Sequence, residues 1–242
     1  MAMKKQHIHQ KRMIHFSGIL RFSVTLTLFL LILFFMINPQ TAHSQESPPV
    51  EEPAAEHSAD ALTMEPSQDV ILPSCTVPPI VVPTLPDKIP GYTQLDPDTQ
   101  LHVTGTAQVI ELESYTLEIT GKVEHALALT YDNLRCMPRI EARPTLVCPG
   151  FFQDTATWAG VSLKYILELA GAKDEATGIR LVSADGYSTR VPIDTALSDN
   201  NFLAYEWEGE PIPILHGFPV RAIFPELQGN KWLKWLVTID VQ

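Results

Sequence analysis

The stretches His216-Gly-Phe-Pro-Val-Arg221 and Gly229-Asn-Lys-Trp-Leu-Lys-Trp235 are the most informative part of this 242-residue chain. Gly217 and Pro219 predict a bend that leads directly into a strand. The Gly-Asn pair at the start of the second stretch predicts a tight turn. The sequence therefore brings a histidine and several cations close to turn backbone, and the tryptophans between them are available for packing.

Positive charge is scarce in this half of the chain. Beyond Arg190 the only cations are Arg221, Lys231 and Lys234. They collect near His216, where an arginine fork can make two-pronged contacts with an anion and turn amides add favourable dipoles. The pattern predicts a phosphate-type site, and the alternative is a set of surface cations with no ligand.

The chain has three cysteines, Cys75, Cys136 and Cys148. In an oxidising compartment this number indicates one disulfide and a free thiol, or buried thiols alone. Cys148 ends an apolar strand predicted over residues 144–148, before a Pro-Gly turn, so its side chain is expected at a sheet edge, where a thiolate can bind a soft metal. Cys136 is expected in the core and Cys75 in a tether, and Cys148 is expected to stay reduced and unpaired with Cys136.

The periodicity of the second half predicts many strands and few helices. Thr130 and Ser162 are the predicted N-caps of two short helices. Two helices are too few to cover the crossovers of a parallel sheet, so the fold class is α+β with mixed, mainly antiparallel sheets. Further strands are predicted over residues 115–121, 179–183, 201–207, 220–224 and 235–241, with an edge strand at 80–82 and a loop at 151–158.

The first part of the chain has a different composition. Residues 1–44 combine a basic stretch with the uncharged run Phe22 to Ile37, which predicts a signal peptide or an N-terminal membrane anchor. Residues 45–96 form a predicted acidic, Pro-rich linker, and residues 97–242 the folded domain. Either reading of the first segment places the domain outside the cytoplasm, in the periplasm or on the outer surface.

The formal net charge of −11 understates how acidic the domain is, because five cations precede Phe22. An acidic surface excludes general nucleic-acid binding, which needs clustered Lys and Arg to displace counterions from phosphates. The chain has no CxxCH motif and no cysteine run of the cluster-binding type. An electron carrier would therefore be a separate protein.

The order of motifs along residues 97–242 resembles the sulfite oxidase-type molybdopterin domain. The strings HGFPVR and KWL are the most specific part of the resemblance. The other matching pieces are Leu129-Thr-Tyr-Asp-Asn-Leu134, Met137-Pro-Arg139, Trp158-Ala-Gly-Val-Ser-Leu163, Ala184-Asp-Gly-Tyr187, Leu203-Ala-Tyr-Glu206 and Gly209-Glu-Pro211.

The resemblance implies a molybdenum cofactor and a set of residues that hold it. Cys148 would be the sulfur ligand of molybdenum, and His216, Arg221, Lys231 and Lys234 would hold the pterin and its phosphate. The implied activity is oxygen-atom transfer on a small-molecule substrate, and the chain is similar to the small exported single-domain branch of the family.

Two departures from the family pattern bear on function. No arginine follows Cys148 before Arg180, which argues against sulfite as the substrate. The family's N-terminal pterin-contacting stretch is matched only by Leu101-His-Val-Thr-Gly105. The alternative hypothesis is therefore a redox-inactive module on the same fold that binds a pterin, another small anion or a protein partner.

Overall fold

The computed structural model describes residues 70–242, which form twelve strands and three short α-helices. The strands are β1 (Leu117–Gly121), β2 (Leu127–Leu129), β3 (Arg139–Ala142), β4 (Thr145–Cys148), β5 (Phe152–Thr155), β6 (Trp158–Ser162), β7 (Gly178–Ser183), β8 (Ser188–Pro192), β9 (Phe202–Trp207), β10 (Glu210–Pro211), β11 (Arg221–Ile223) and β12 (Leu236–Val241). The helices are α1 (Tyr131–Arg135), α2 (Leu163–Leu169) and α3 (Ile193–Ala196). The signal peptide or anchor predicted at residues 1–44, and residues 45–69 of the predicted linker, lie outside this range.

The strands form two five-stranded sheets and a separate hairpin. The first sheet has the order β2-β1-β12-β7-β8, and its β1–β12 pair is the one parallel pair in residues 70–242. The second sheet runs β10-β9-β6-β3, with β11 also paired to β9, and is antiparallel. In the described part of the chain, strands β4 and β5 pair only with each other. The prediction of an α+β fold with mixed, mainly antiparallel sheets and a few short helices is confirmed.

Both predicted helices begin at their predicted caps. The Thr130 side chain accepts a hydrogen bond from the Asn133 backbone N–H, and the Asn133 side-chain oxygen accepts one from the Thr130 backbone N–H, which completes a capping box. The Ser162 side chain caps α2 by accepting one hydrogen bond from the Tyr165 backbone N–H. No helix in residues 70–242 has the length and hydrophobicity to cross a membrane.

Most strands lie where the alternation predicts them, but two predictions were wrong. The segment 151–158, predicted as a loop, instead contains β5 and the start of β6. The hairpin has a solvent-exposed outer face and therefore needs few apolar residues. For this reason the polar composition of the segment did not predict a strand. Residues 80–82, predicted as an edge strand, form no strand, because the prolines that flank them remove backbone donors.

We refer to residues 70–105 as the N-terminal arm. A disulfide joins Cys75 to Cys136, with the two Cα atoms 5.5 Å apart, and Arg135 Nη2 donates to the Pro78 carbonyl at 2.8 Å. The predictions that Cys75 is incidental to a tether and that Cys136 is a core thiol were therefore wrong. Cys136 is the C-cap of α1, so its sulfur lies at a helix end that faces the arm and not in an apolar helix interior.

Candidate functional site

A cavity of about 320 Å³ opens between the β4–β5 hairpin, the N-terminal arm and the segment that contains β11 and residues 229–235. Three of the five predicted site residues line it, namely Cys148, Arg221 and Lys234. They are 13 or more positions apart in sequence, and β4, β11 and the turn before β12 bring them together. The cavity is therefore the candidate functional site.

Cys148 reaches the cavity because it is the last residue of β4. It pairs with Phe152 of β5 across the hairpin, and the turn between them contains Gly150 at φ +80°, a backbone conformation that glycine adopts without strain. The Cys148 thiol is half-buried and free. The prediction that it is reduced and not bonded to Cys136 is confirmed.

Arg221 is the first residue of β11 and is almost completely buried, with 6% of its surface exposed. Its guanidinium lies 4.9 Å from the Trp158 ring centroid, and Nη1 donates to the His216 carbonyl at 3.2 Å. Its Nε–H has no hydrogen-bond partner within residues 70–242. Burial lowers the pKa of Arg221 to about 10, and Asp154 opposes this effect. The group therefore remains a cation at neutral pH, and its buried Nε–H is an unused donor.

Lys234 is the second buried cation of the cavity. Its Nζ donates to the Leu215 carbonyl at 2.8 Å and to the Thr104 carbonyl. Burial and then the charge of Arg221 hold the pKa of Lys234 well below its ordinary value. An anion in the cavity would relieve this repulsion and raise the pKa of Lys234 again.

Gly217 allows the two cations to approach each other. It has φ +119°, and a Cβ at this position would lie 3.1 Å from the Lys234 Cβ and 3.2 Å from the Arg221 Cβ. Any other residue would be strained in this conformation and would also press on both side chains. The glycine of the HGFPVR string is thus required by the site's geometry.

His216 and Lys231 do not line the cavity. His216 is buried, and its Nε2 lies 2.9 Å from Asp96 Oδ2 and 2.9 Å from Thr99 Oγ1. Burial lowers the pKa of His216 to about 4, although the hydrogen bond with Asp96 opposes this. Lys231 Nζ donates to Thr189 Oγ1 and to the Arg190 carbonyl, both at 2.8 Å.

These two residues hold the elements around the cavity. His216 bonds the N-terminal arm through Asp96 and supplies the carbonyl that accepts from Arg221. Lys231 ties the 229–231 turn to β8. Of the predicted site residues, the fold brings Cys148, Arg221 and Lys234 to one cavity, and it places His216 and Lys231 behind its wall.

The sequence analysis named the stretch Leu101–Gly105 but missed the pair that His102 of this stretch forms with Asp154 of β5 on the cavity wall. Their side chains meet with Nδ1 2.6 Å from Oδ1, and the His102 backbone N–H donates to Oδ2 at 2.9 Å. The two residues are 52 positions apart, so no local pattern joins them. The available signal was the alternation of β5, which puts Asp154 on the same face as Phe152.

The donor set fits an anionic cofactor that brings metal ligands of its own. One thiol offers a single soft ligand, and no group of three or more His, Cys, Asp or Glu side chains that could hold a metal occurs within residues 70–242. Two buried cations and the unpartnered Arg221 Nε–H require a negative group for full compensation. A molybdopterin cofactor, with its phosphate and its own sulfur ligands, meets both requirements.

The fold is that of the sulfite oxidase-type molybdopterin domain. The sulfane dehydrogenase SoxCD from Paracoccus pantotrophus superposes with a TM-score of 0.53 at 24% sequence identity, over 59% of this chain and 41% of that one. The family model for the oxidoreductase molybdopterin binding domain matches residues 104–242. The chain belongs to this family.

Two curated relatives are similar in sequence. The oxidoreductase YuiH of Bacillus subtilis is 34% identical over 137 residues, which cover 56% of this chain and 69% of YuiH. The mitochondrial sulfite oxidase of Homo sapiens is 28% identical over 235 residues, which cover 84% of this chain and 40% of that enzyme. The chain therefore spans less than half of the sulfite oxidase.

Proposed function

We propose that this chain is an exported molybdenum-cofactor-dependent oxidoreductase that transfers an oxygen atom to or from a small-molecule substrate. The observation that carries the proposal is the convergence of Cys148, Arg221 and Lys234 on one cavity. A thiol, two buried cations and one unused guanidinium donor are the groups that a metal-bearing, phosphate-bearing cofactor needs.

In this proposal each residue has a distinct task. The Cys148 thiolate binds the metal, and Arg221 and Lys234 hold the phosphate of the pterin. His216 and Lys231 act indirectly, because they fix the backbone around Arg221 and the 229–231 turn. The bound cofactor supplies oxygen-atom and electron transfer, and the protein supplies position and charge.

The cavity also bears on the substrate and the electron partner. The cations on its wall are Arg221 and Lys234, and both are assigned to the phosphate. Asp154 and Asp185 add negative charge to the same wall. This balance of charges disfavours a doubly charged anion such as sulfite as the substrate. We assign the supply or removal of electrons to a separate redox protein.

Export is supported by two independent features. The Cys75–Cys136 disulfide is typical of an oxidising compartment. The basic and then apolar sequence of residues 1–44 has the layout of a signal peptide or anchor. Both features favour the periplasm or the outer surface as the place where the domain works.

The test is metal and pterin analysis of the full chain purified after native export. We expect close to one molybdenum and one pterin per wild-type chain, and background molybdenum in Cys148→Ser with unchanged circular dichroism. Val147→Ser is the matched control, because Val147 precedes Cys148 on the same strand and is exposed. Full molybdenum in Cys148→Ser would contradict the ligand assignment, and pterin without molybdenum in the wild type would favour a redox-inactive binding module.

A further inference from the structure

The wall of the cavity carries an imidazole and a carboxylate that the proposed cofactor contacts do not use. Asp154 accepts two hydrogen bonds from one residue, from His102 Nδ1 at 2.6 Å and from the His102 backbone at 2.9 Å. The His102 ring stacks on Phe152 with centroids 4.4 Å apart and planes inclined by 12°. The ring is therefore fixed both in its plane and in its rotation.

This geometry determines which ring nitrogen is available. A carboxylate only accepts hydrogen bonds, so Nδ1 must carry its proton toward Asp154, and Nε2 is the nitrogen that can gain or lose one. Nε2 makes no hydrogen bond to any residue of the described part of the chain. The His102 side chain is 25% exposed, whereas that of Asp154 is 9% exposed, so the imidazole borders both the cavity and solvent.

Oxygen-atom transfer requires a route for protons. Removal of oxygen from a substrate XO follows XO + 2H⁺ + 2e⁻ → X + H₂O, and the reverse reaction releases the same two protons. The separate redox protein supplies or collects the two electrons. We infer that His102 Nε2 carries the protons between solvent and the cavity, and that Asp154 is the positioning residue that holds its tautomer. This inference rests on the proposed function.

The other titratable groups on the cavity wall are less suited to this task. Cys148 is assigned to the metal, and Arg221 and Lys234 to the phosphate. Asp185 accepts the backbone N–H of Tyr187, and the remaining groups are the phenols of Tyr92 and Tyr187. Of the side chains facing the cavity, the His102 imidazole is the one that can both accept and donate a proton at a nitrogen that no other assignment uses.

The first measurement concerns the dyad itself and needs no turnover. Nitrogen-15 NMR of histidine-labelled full-length protein should show His102 in the Nδ1–H tautomer at neutral pH. Asp154→Asn should convert it to a mixture of tautomers, and Asp185→Asn should leave it unchanged. An Nε2–H tautomer in the wild type would overturn the inference.

The second measurement uses reduced methyl viologen as the electron donor to the oxidised, molybdenum-loaded protein, with the rate of viologen oxidation followed from pH 5 to 9. We expect one ionisation to control the wild-type rate. His102→Ala should be reduced about 10²-fold more slowly and should lose that ionisation. Added imidazole should restore the rate of the His102→Ala protein. His125→Ala is the control, because His125 does not line the cavity. A loaded His102→Ala protein with the wild-type profile would overturn this inference alone, whereas protein without molybdenum would overturn the proposed function.

Discussion

The two sides of the cavity are built in different ways. The inner wall, formed by β11 and residues 229–235, is continuous with the second sheet and the core and presents Arg221 and Lys234. The outer wall, formed by the β4–β5 hairpin and the N-terminal arm, belongs to neither five-stranded sheet. Individual links hold it, among them the Cys75–Cys136 disulfide and the His102–Asp154 pair.

The difference separates two requirements of a cofactor site. Buried cations need a rigid, dry setting, because their attraction for an anion grows as solvent is excluded. The proposed metal ligand Cys148 and the proposed proton carrier His102 need access to substrate and water, which the surface hairpin and the arm provide. We therefore expect changes in the outer wall to act through single links, and changes in the inner wall to act through charge.

The largest effect is expected from cutting the strongest link of the outer wall. Cys75→Ser combined with Cys136→Ser should lower the free energy of unfolding by about 2–4 kcal/mol, because the bond restricts a long loop in the unfolded chain. Urea unfolding of the full chain measures this. Cys148→Ser is the control and should change the free energy of unfolding of the cofactor-free protein by less than about 0.5 kcal/mol. An equal loss of stability in the double variant and in Cys148→Ser would show that the arm is not held by the disulfide.

Acidification should next weaken the contact between the arm and the inner wall. His216 stays neutral in the folded chain because its pKa is about 4, while the unfolded chain takes up a proton near pH 6.5. The unfolded state therefore binds more protons as pH falls from 6.5 to 4, and the free energy of unfolding should drop by on the order of 3 kcal/mol over this range.

Asp96 adds to this loss only at lower pH. Burial would raise the pKa of Asp96, but hydrogen bonds from His216, Thr99 and the Asp98 backbone together hold it below 3.8. Denaturant titrations between pH 4 and 7 measure how much His216 contributes to the pH dependence of the free energy of unfolding. His216→Gln should flatten the curve and His125→Gln should not, and a wild-type curve already flat in this window would contradict the assignment.

Substitutions of the inner-wall cations should weaken retention of the cofactor. Arg221→Gln should weaken retention by about 1.5–3 kcal/mol, roughly 10- to 150-fold, because a hydrogen bond to a charged group is lost. Arg221→Lys should also weaken it, since an ammonium cannot reproduce the planar fork. Pterin release during dialysis measures this.

The same Arg221→Gln change should not lower the stability of the cofactor-free protein, because it removes a buried charge that lacks full compensation. Lys231→Gln is the matched control, because Lys231 lies behind the cavity wall and should reduce retention less. Equal pterin loss in the two variants would contradict the division between cavity and support residues.

The smallest effect is expected at the tip of the outer wall. Phe151 is 73% exposed in the β4–β5 turn, so Phe151→Ser should change the free energy of unfolding by no more than about 0.5 kcal/mol. Thermal unfolding of the cofactor-free protein measures it. A larger loss would mean that the hairpin packs more tightly than its exposure indicates.

The sequence predicted the inner wall better than the outer wall. The strands of the sheets carry clear alternation, and the HGFPVR and KWL strings placed Arg221 and Lys234 correctly near each other. The burial of His216 against Asp96 could not be predicted, because the two residues are 120 positions apart and Asp96 lies in a Pro-rich segment. The Cys75–Cys136 bond was missed for the same reason, since a segment without periodicity gives no sign of what it contacts.

Strand β12 has a consequence for the synthesis of the protein. It lies at the centre of the first sheet, between β1 and β7, and pairs with β1 over Thr238 to Val241. Within residues 70–242 no other strand joins β1 to β7, so the sheet is complete only when β12 is present. A chain interrupted before β12 would therefore expose unpaired strand edges that favour aggregation.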